Sequence, residues 1–280
     1  MIDFVGKRKW YFLFSGIIIL IGVIFLLSAG LQRGIEFTGG TMMTISFEQE
    51  VAQEELREEM AELGHDDAVI QWSEDAEAFI IRTKELAEEE EAVIEDTLTE
   101  RFGPLTIKDV YGVSGSIARE IEGDAAIAVS VAAIGILLYV TWAFRRVMKP
   151  FHFGVSAIVA LVHDVLIVLG VFAVLGVLLD IEIDAMFITG VLIIIGYSVN
   201  DTIVVFDRIR ENMLKSPGSS LDTTVNHSIM ETLGRSLNTS ITTMFVLLAL
   251  FLLGGETIHN FVLVLIIGVI AGTYSSICVA

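Results

Sequence analysis

The sequence predicts an α-helical membrane protein with six transmembrane helices and an extracytoplasmic α+β domain of the ferredoxin-like, βαββαβ type. Three observations lead there. Hydrophobic residues make up 54% of the 280 and the mean hydropathy is +0.73, beyond what filling a soluble core requires. Six runs reach the roughly 20 apolar residues that a helix needs to cross a hydrocarbon layer about 30 Å thick. The net charge of -19 is concentrated between Glu36 and Glu122, so one acidic segment stands apart from the apolar ones.

The apolar runs are Trp10–Gly30, Asp124–Phe144, Phe153–Leu179, Ala185–Phe206, Leu237–Leu253 and Asn260–Ala280. The fifth is short, and its start could lie near Leu233. Lys7-Arg8-Lys9 ahead of the first run imitates a signal peptide, but the length of that run and the lack of a clear A-x-A site make it an uncleaved helix. A polar segment is expected to follow Ala280, because last spans normally carry one. The expected organisation is residues 1–30 as cytoplasmic segment and first span, 31–123 as the external domain, and 124–280 as the remaining spans with a cytoplasmic loop at 207–236. The single cysteine, Cys278, lies in an apolar run, so neither a disulfide framework nor a cysteine metal site is expected. No cofactor is expected either.

Orientation follows from Lys and Arg in the short connections, which favour the cytoplasm. Lys7, Arg8 and Lys9 precede span one, Arg145, Arg146 and Lys149 follow span two, and Arg208, Arg210, Lys215 and Arg235 lie between spans four and five. The alternate connections are poor in both residues. Both termini are therefore expected in the cytoplasm.

Between Thr41 and Val113 the hydrophobic period changes repeatedly. Met43-Thr44-Ile45-Ser46-Phe47 alternates as a strand; Val51–Leu63 is helical, with Leu56, Met60 and Leu63 on one face. Ala68–Trp72 and Ala78–Arg82 read as strands joined by a turn at Ser73-Glu74-Asp75. Leu86–Phe102 reads as a second helix ended by Gly103-Pro104, and Leu105–Tyr111 as the last strand. The run Glu88-Glu89-Glu90-Glu91 reads better as a solvated helix face than as a cation cage, since consecutive acids on a helix diverge.

Charged groups at the centre of a span cost about 2.5–3.5 kcal/mol on insertion scales, so those present invite a functional reading. His163-Asp164 lies near the middle of span three, and Ser198, Asn200 and Asp201 interrupt span four. Arg235, Asn238, Thr239 and Thr242 fall on one helix face at the start of span five. Arg235 could equally snorkel to the cytoplasm, and the Asn and Thr face could be packing glue. Asp201 reads as a buried functional carboxylate, and His163-Asp164 as a polar relay or packing pair rather than a metal site. Low dielectric pushes a carboxylate toward its neutral form and a guanidinium favours the charged one, so a small change in the distance between Asp201 and Arg235 could load or unload a proton. A proton falling through 100 mV supplies about 2.3 kcal/mol, enough to bias a helix interface.

Four segments in order resemble the SecD/SecF family of protein-export membrane proteins, on its SecF side. They are Gly34-Ile35-Glu36-Phe37-Thr38-Gly39-Gly40, where the family commonly has Asp in place of Glu36, then Val162-His163-Asp164, the stretch from Gly196 to Asn212, and Arg235-Ser236-Leu237-Asn238-Thr239-Ser240. The resemblance, which covers essentially the whole chain, implies a subunit of the resistance-nodulation-division superfamily that pairs with SecD, each giving six helices. It links proton flow near their interface to motions that draw a translocating preprotein away from the SecYEG channel. YajC and a YidC-like insertase are further partners it admits; nucleic acid is not. By position, Asp201 and Arg235 would be the proton-coupling pair. His163, Asp164, Asn200 and Thr239 would be supporting polar residues, and Gly34, Glu36, Phe37, Gly39 and Gly40 a structural signature. Sodium coupling stays open. The rival readings are a small-molecule efflux transporter of the same superfamily, disfavoured by the lack of twelve spans in one chain, and a passive scaffold whose buried polar groups only specify packing. An enzyme is not expected, since no G-x-S-x-G, H-E-x-x-H or paired intramembrane aspartate pattern is present.

Overall fold

The computed structural model describes residues 3–73, 76–145, 150–216, 218–255 and 258–280. Glu74 and Asp75 of the expected turn, and the loop cations Arg146 and Lys149, lie outside the described residues. By its contacts the chain divides into two compact units, residues 33–124 and residues 1–32 with 125–280.

The smaller unit is an antiparallel four-stranded sheet with two helices, in the order β1 (Gly40–Phe47), α3 (Gln53–Glu62), β2 (Val69–Ser73), β3 (Ala78–Thr83), α4 (Glu88–Phe102) and β4 (Leu105–Val113), preceded by a short helix α2 (Ile35–Thr38). The strand order β2-β3-β1-β4 is that of a ferredoxin-like unit, with β1 central and antiparallel to both neighbours. Alternation along the strands puts Met43, Ile45, Ile70, Phe79 and Ile81 in one core, closed by Leu56 and Met60 of α3 and Ile94 and Leu98 of α4, pairs spaced by one helical turn. Leu63 packs at the edge of the same cluster, completing the predicted apolar face. The run Glu88–Glu91 forms the first turn of α4, where carboxylates interact favourably with the helix dipole, and Glu90 reaches back to accept from the Ala87 N–H at 3.0 Å.

Gly39 and Gly40 join α2 to β1, and both are required by geometry. Their φ angles are +74° and +141°, and a Cβ would lie 2.9 Å from Gly115 Cα in the first case and 2.3 Å from the Thr83 carbonyl oxygen in the second. Gly34 begins α2, its carbonyl accepting from the N–H groups of Phe37 and Thr38, while Ile35 and Phe37 turn inward.

The larger unit contains α1 (Arg8–Ser28), α6 (Pro150–Leu179), α7 (Ala185–Lys215), α8 (Leu221–Leu253) and α9 (His259–Cys278), together with the greater part of α5 (Gly115–Ala143). These six helices are long and apolar enough to cross a membrane. α6, α7 and α9 are the most buried and form the centre; α1, α5 and α8 are mostly exposed on the outside. Three helices run nine residues or more past the predicted apolar limits. α5 starts nine residues before Asp124, α7 continues nine residues beyond Phe206, and α8 starts at Leu221, so most of the polar segment 207–236 is helical. Hydropathy marks where a helix leaves the apolar layer, whereas the extensions of α7 and α8 are laced by Arg210–Asp207 at 2.5 Å, Lys215–Glu211 at 2.6 Å and Arg208–Glu231 at 2.7 Å.

Candidate functional site

Two carboxylates sit inside the helix bundle, and each is held by hydroxyls from two other helices. The first is Asp164 on α6, 1% exposed, beside His163, 6% exposed. Its Oδ2 accepts from Ser198 on α7 at 2.5 Å and from Ser275 on α9 at 2.7 Å, while Oδ1 lies 2.9 Å from Nδ1 of His163. The imidazole continues outward. Its Nε2 is 3.0 Å from Ser15 of α1, Ser15 donates to the Tyr274 hydroxyl of α9 at 3.1 Å, and Tyr274 donates to the Tyr11 carbonyl of α1 at 2.9 Å. Four helices thus share one polar network. Close approach makes this possible: Gly22 of α1 faces Gly170 of α6, and a Cβ on Gly272 of α9 would lie 3.1 Å from Ser198 Cβ.

The second carboxylate is Asp201 on α7, partly exposed. Its Oδ1 accepts from Ser236 of α8 at 2.7 Å and its Oδ2 from Ser276 of α9 at 2.5 Å. Ser236 belongs to a column of buried hydroxyl residues along α8, Thr224, Ser228, Thr232, Ser236 and Ser240, spaced by four. Thr224, Ser228, Thr232 and Ser240 each donate to the carbonyl four residues back. Ser236 is the one among them whose hydrogen goes to a carboxylate, that of Asp201. Small residues let α8 lie close to its neighbours, and one of them is turned to a carboxylate.

The predicted residues do not all meet. Asp201 and Arg235 form no ion pair among the described residues; Asp201 is satisfied by serines, and Arg235 is exposed. Asn200, Asn238, Thr239 and Thr242 are exposed as well, so α8 carries an outer polar face, Arg235 to Thr242, back to back with its inner serine column. His163 and Asp164 do come together despite being adjacent in sequence. Gly34, Glu36, Phe37, Gly39 and Gly40 lie in the other unit. Sequence reasoning missed Ser15, Tyr274, Ser275 and Ser276. The available signal was the polar run Thr273-Tyr274-Ser275-Ser276 within an otherwise apolar last span.

Comparison with known proteins decides the family. The family model described as "Protein export membrane protein SecD/SecF, C-terminal" matches residues 93–280, and the "SecD/SecF GG Motif" model matches residues 24–51. The chain belongs to the SecD/SecF family. Within it, the chain is 46% identical to the protein translocase subunit SecF of Thermobaculum terrenum, over 99% of this chain and 91% of that one. It is 37% identical to SecF of Anaerolinea thermophila, over 100% of this chain and 92% of that one. Among solved structures it resembles crystalline SecDF, a translocon-associated membrane protein from Thermus thermophilus, with a TM-score of 0.86 and 35% identity. That match covers 99% of this chain but only 37% of the SecDF chain. A second SecDF structure, in a super-membrane-facing form, matches with a TM-score of 0.69 and 33% identity, over 99% of this chain and 37% of that one. The paired glycines at 39 and 40 fall in the GG-motif match, while His163, Asp164, Asp201 and Arg235 fall in the C-terminal match of the SecD/SecF family.

Proposed function

We propose that this chain is the SecF-type subunit of a SecD–SecF complex that couples the proton motive force to preprotein translocation through SecYEG. One observation carries the reading: a carboxylate in the spanning part of α7, Asp201, is held among the described residues by neutral serine hydroxyls, while Arg235 and its polar neighbours face outward from the bundle. Polar groups do not face hydrocarbon without cost, so this surface fits a second membrane subunit, and SecD is the partner that family membership supports. In that arrangement Asp201 gains or loses a proton as α7, α8 and α9 shift, with the Arg235 guanidinium acting as a fixed charge and not a carrier. Both termini then lie in the cytoplasm, with the α+β domain outside, as the arginine-rich connections favour.

The test is export into membrane vesicles carrying an imposed proton gradient. Asp201→Asn should abolish the gradient-dependent stage while leaving the complex assembled. Unchanged export in the double substitution Asp201→Asn, Arg235→Gln, with SecD still bound, would instead establish a passive scaffold. Gradient-driven drug transport by the purified protein would point to an efflux pump.

A further inference from the structure

The donors and acceptors around His163 fix where one proton must be. The Tyr11 carbonyl can only accept, so the Tyr274 hydroxyl hydrogen points to it. The bond between Tyr274 and Ser15 then requires Ser15 to donate. With that hydrogen committed, Ser15 accepts from His163, which places a hydrogen on Nε2. On the far side, Ser198 and Ser275 already fill Oδ2 of Asp164. What remains is the 2.9 Å contact between Nδ1 and Oδ1, and it needs a hydrogen as well. A neutral imidazole has only one N–H, so this is an extra proton, held either as imidazolium on carboxylate or as imidazole on carboxylic acid. In both forms the pair has no net charge, as suits a site buried among apolar helices, where Asp164 has His163 as its ion-pair partner among the described residues.

We propose that His163 and Asp164 form a second proton-binding site in this chain, holding one shared proton, and that α9 links its occupancy to that of Asp201. The link is covalent and short: adjacent residues of α9 serve the two carboxylates, Ser275 donating to Asp164 and Ser276 to Asp201. On release, Nε2 passes its proton to Ser15, Ser15 passes its own to Tyr274, and Tyr274 passes its own to water beside the partly exposed Tyr11. Nδ1–H stays on the Asp164 carboxylate, so the pair goes from neutral to one negative charge and a single proton leaves it. The transfer leaves Ser15 donating to Nε2 and Tyr274 donating to Ser15, so the Tyr11 carbonyl loses its donor and α1 is loosened from α9. The titratable groups around the pair are Tyr11 from α1 and Tyr274 from α9, the latter ring stacked 5.9 Å from the imidazole, with Cys278 one turn further on. α7 contributes Ser198 and, three residues on, Asp201. The use of this site rests on the proton-coupled reading above; the proton count does not.

Nitrogen-15 NMR of the histidine-labelled chain, reconstituted in bilayers with its partner subunit, tests this, His163→Gln identifying the signal among five histidines. The wild type should show hydrogen on Nε2 at neutral pH and lose it in alkali. Tyr274→Phe keeps the ring but frees Ser15 to turn toward Nε2, so it should weaken proton retention about tenfold, the worth of one hydrogen bond. Asp201→Asn should shift the same transition, and adding Ser275→Ala with Ser276→Ala should erase that shift. A bare Nε2 at neutral pH, or a signal indifferent to Tyr274→Phe and Asp201→Asn, overturns the proposal. Should His163 behave as expected while Asp201→Asn leaves gradient-driven export intact, the proton site stands and the coupling function falls. The opposite pair of results keeps the coupling function and removes the site.

Discussion

Replacing Gly40 by alanine should destabilise the α+β domain more than any other single added methyl group at its turns. The new Cβ would stand 2.3 Å from the Thr83 carbonyl oxygen, whereas ordinary contact begins at 3.4 Å. Both sides of the clash are backbone, and Thr41 pairs with Thr83 in the β1–β3 ladder, so relief requires prising two strands apart. The left-handed conformation itself, φ +141°, costs about 1–3 kcal/mol for a residue with a side chain. The clash adds about 1–3 kcal/mol, the usual range for overpacking. Gly64 provides the control, because its φ is +90° but nothing lies within 4 Å of the position its Cβ would take. Hydrogen exchange of the full chain in lipid nanodiscs reads both, through the amides of Met43 and Ile81 in the middle of the ladder. Gly40→Ala should accelerate their exchange by about 5- to 150-fold more than Gly64→Ala does, the equivalent of the clash alone. Equal acceleration by the two variants would show that Thr83 yields freely and that the paired glycines serve backbone freedom only.

Ser236→Ala removes a hydrogen bond to a carboxylate, worth about 1.5–3 kcal/mol, and should depress gradient-driven export at least about tenfold. Thr232→Ala, one turn away with its hydroxyl bonded to its own helix, should leave export unchanged. With Cys278→Ser as background, Thr239→Cys should crosslink to the partner subunit, whereas Ser228→Cys, fully buried against its neighbours, should not. In the α+β domain, Lys84 bonds Asp67 at 2.7 Å and holds its carboxyl below the usual range, while Asp67 raises the Lys84 ammonium. The depressed carboxyl stabilises the fold above its unfolded value of about 4 and ceases to do so as pH falls through its folded value. Lys84→Ala should therefore leave acid unfolding of the domain less steep below about pH 4 and alter neutral stability little, as an exposed pair implies.

The architecture was legible because each layer has its own period. Alternation in Met43-Thr44-Ile45 and four-residue spacing in Leu56–Met60 require no partner to interpret, and length alone marks a span. Six spans were legible from length and composition, but the helix ends were not, since α7 and α8 continue on ion pairs that hydropathy does not register. Asp201 and Asp164 stood out because carboxylates are conspicuous in hydrocarbon. Their partners did not, because a serine in a membrane helix is commonplace until the fold shows where its hydrogen points. Ser236 illustrates this: it repeats the pattern of Thr232 and Ser240, and only tertiary structure separates the one that serves Asp201. Whether Arg235 would face inward or snorkel was not legible from its place at the start of a span, and only side-chain direction around α8 shows it exposed.

The proposed coupling depends on proton exchange by Asp201 within the bilayer, and infrared difference spectroscopy of the reconstituted subunit pair, with and without an imposed proton gradient, tests it directly. With Asp164→Asn as background, to remove the second buried carboxyl, a carboxylic-acid carbonyl band should appear under the gradient and be missing once Asp201→Asn is added. A spectrum with no gradient-dependent carboxyl band, or one that keeps its band in the variant, would contradict it.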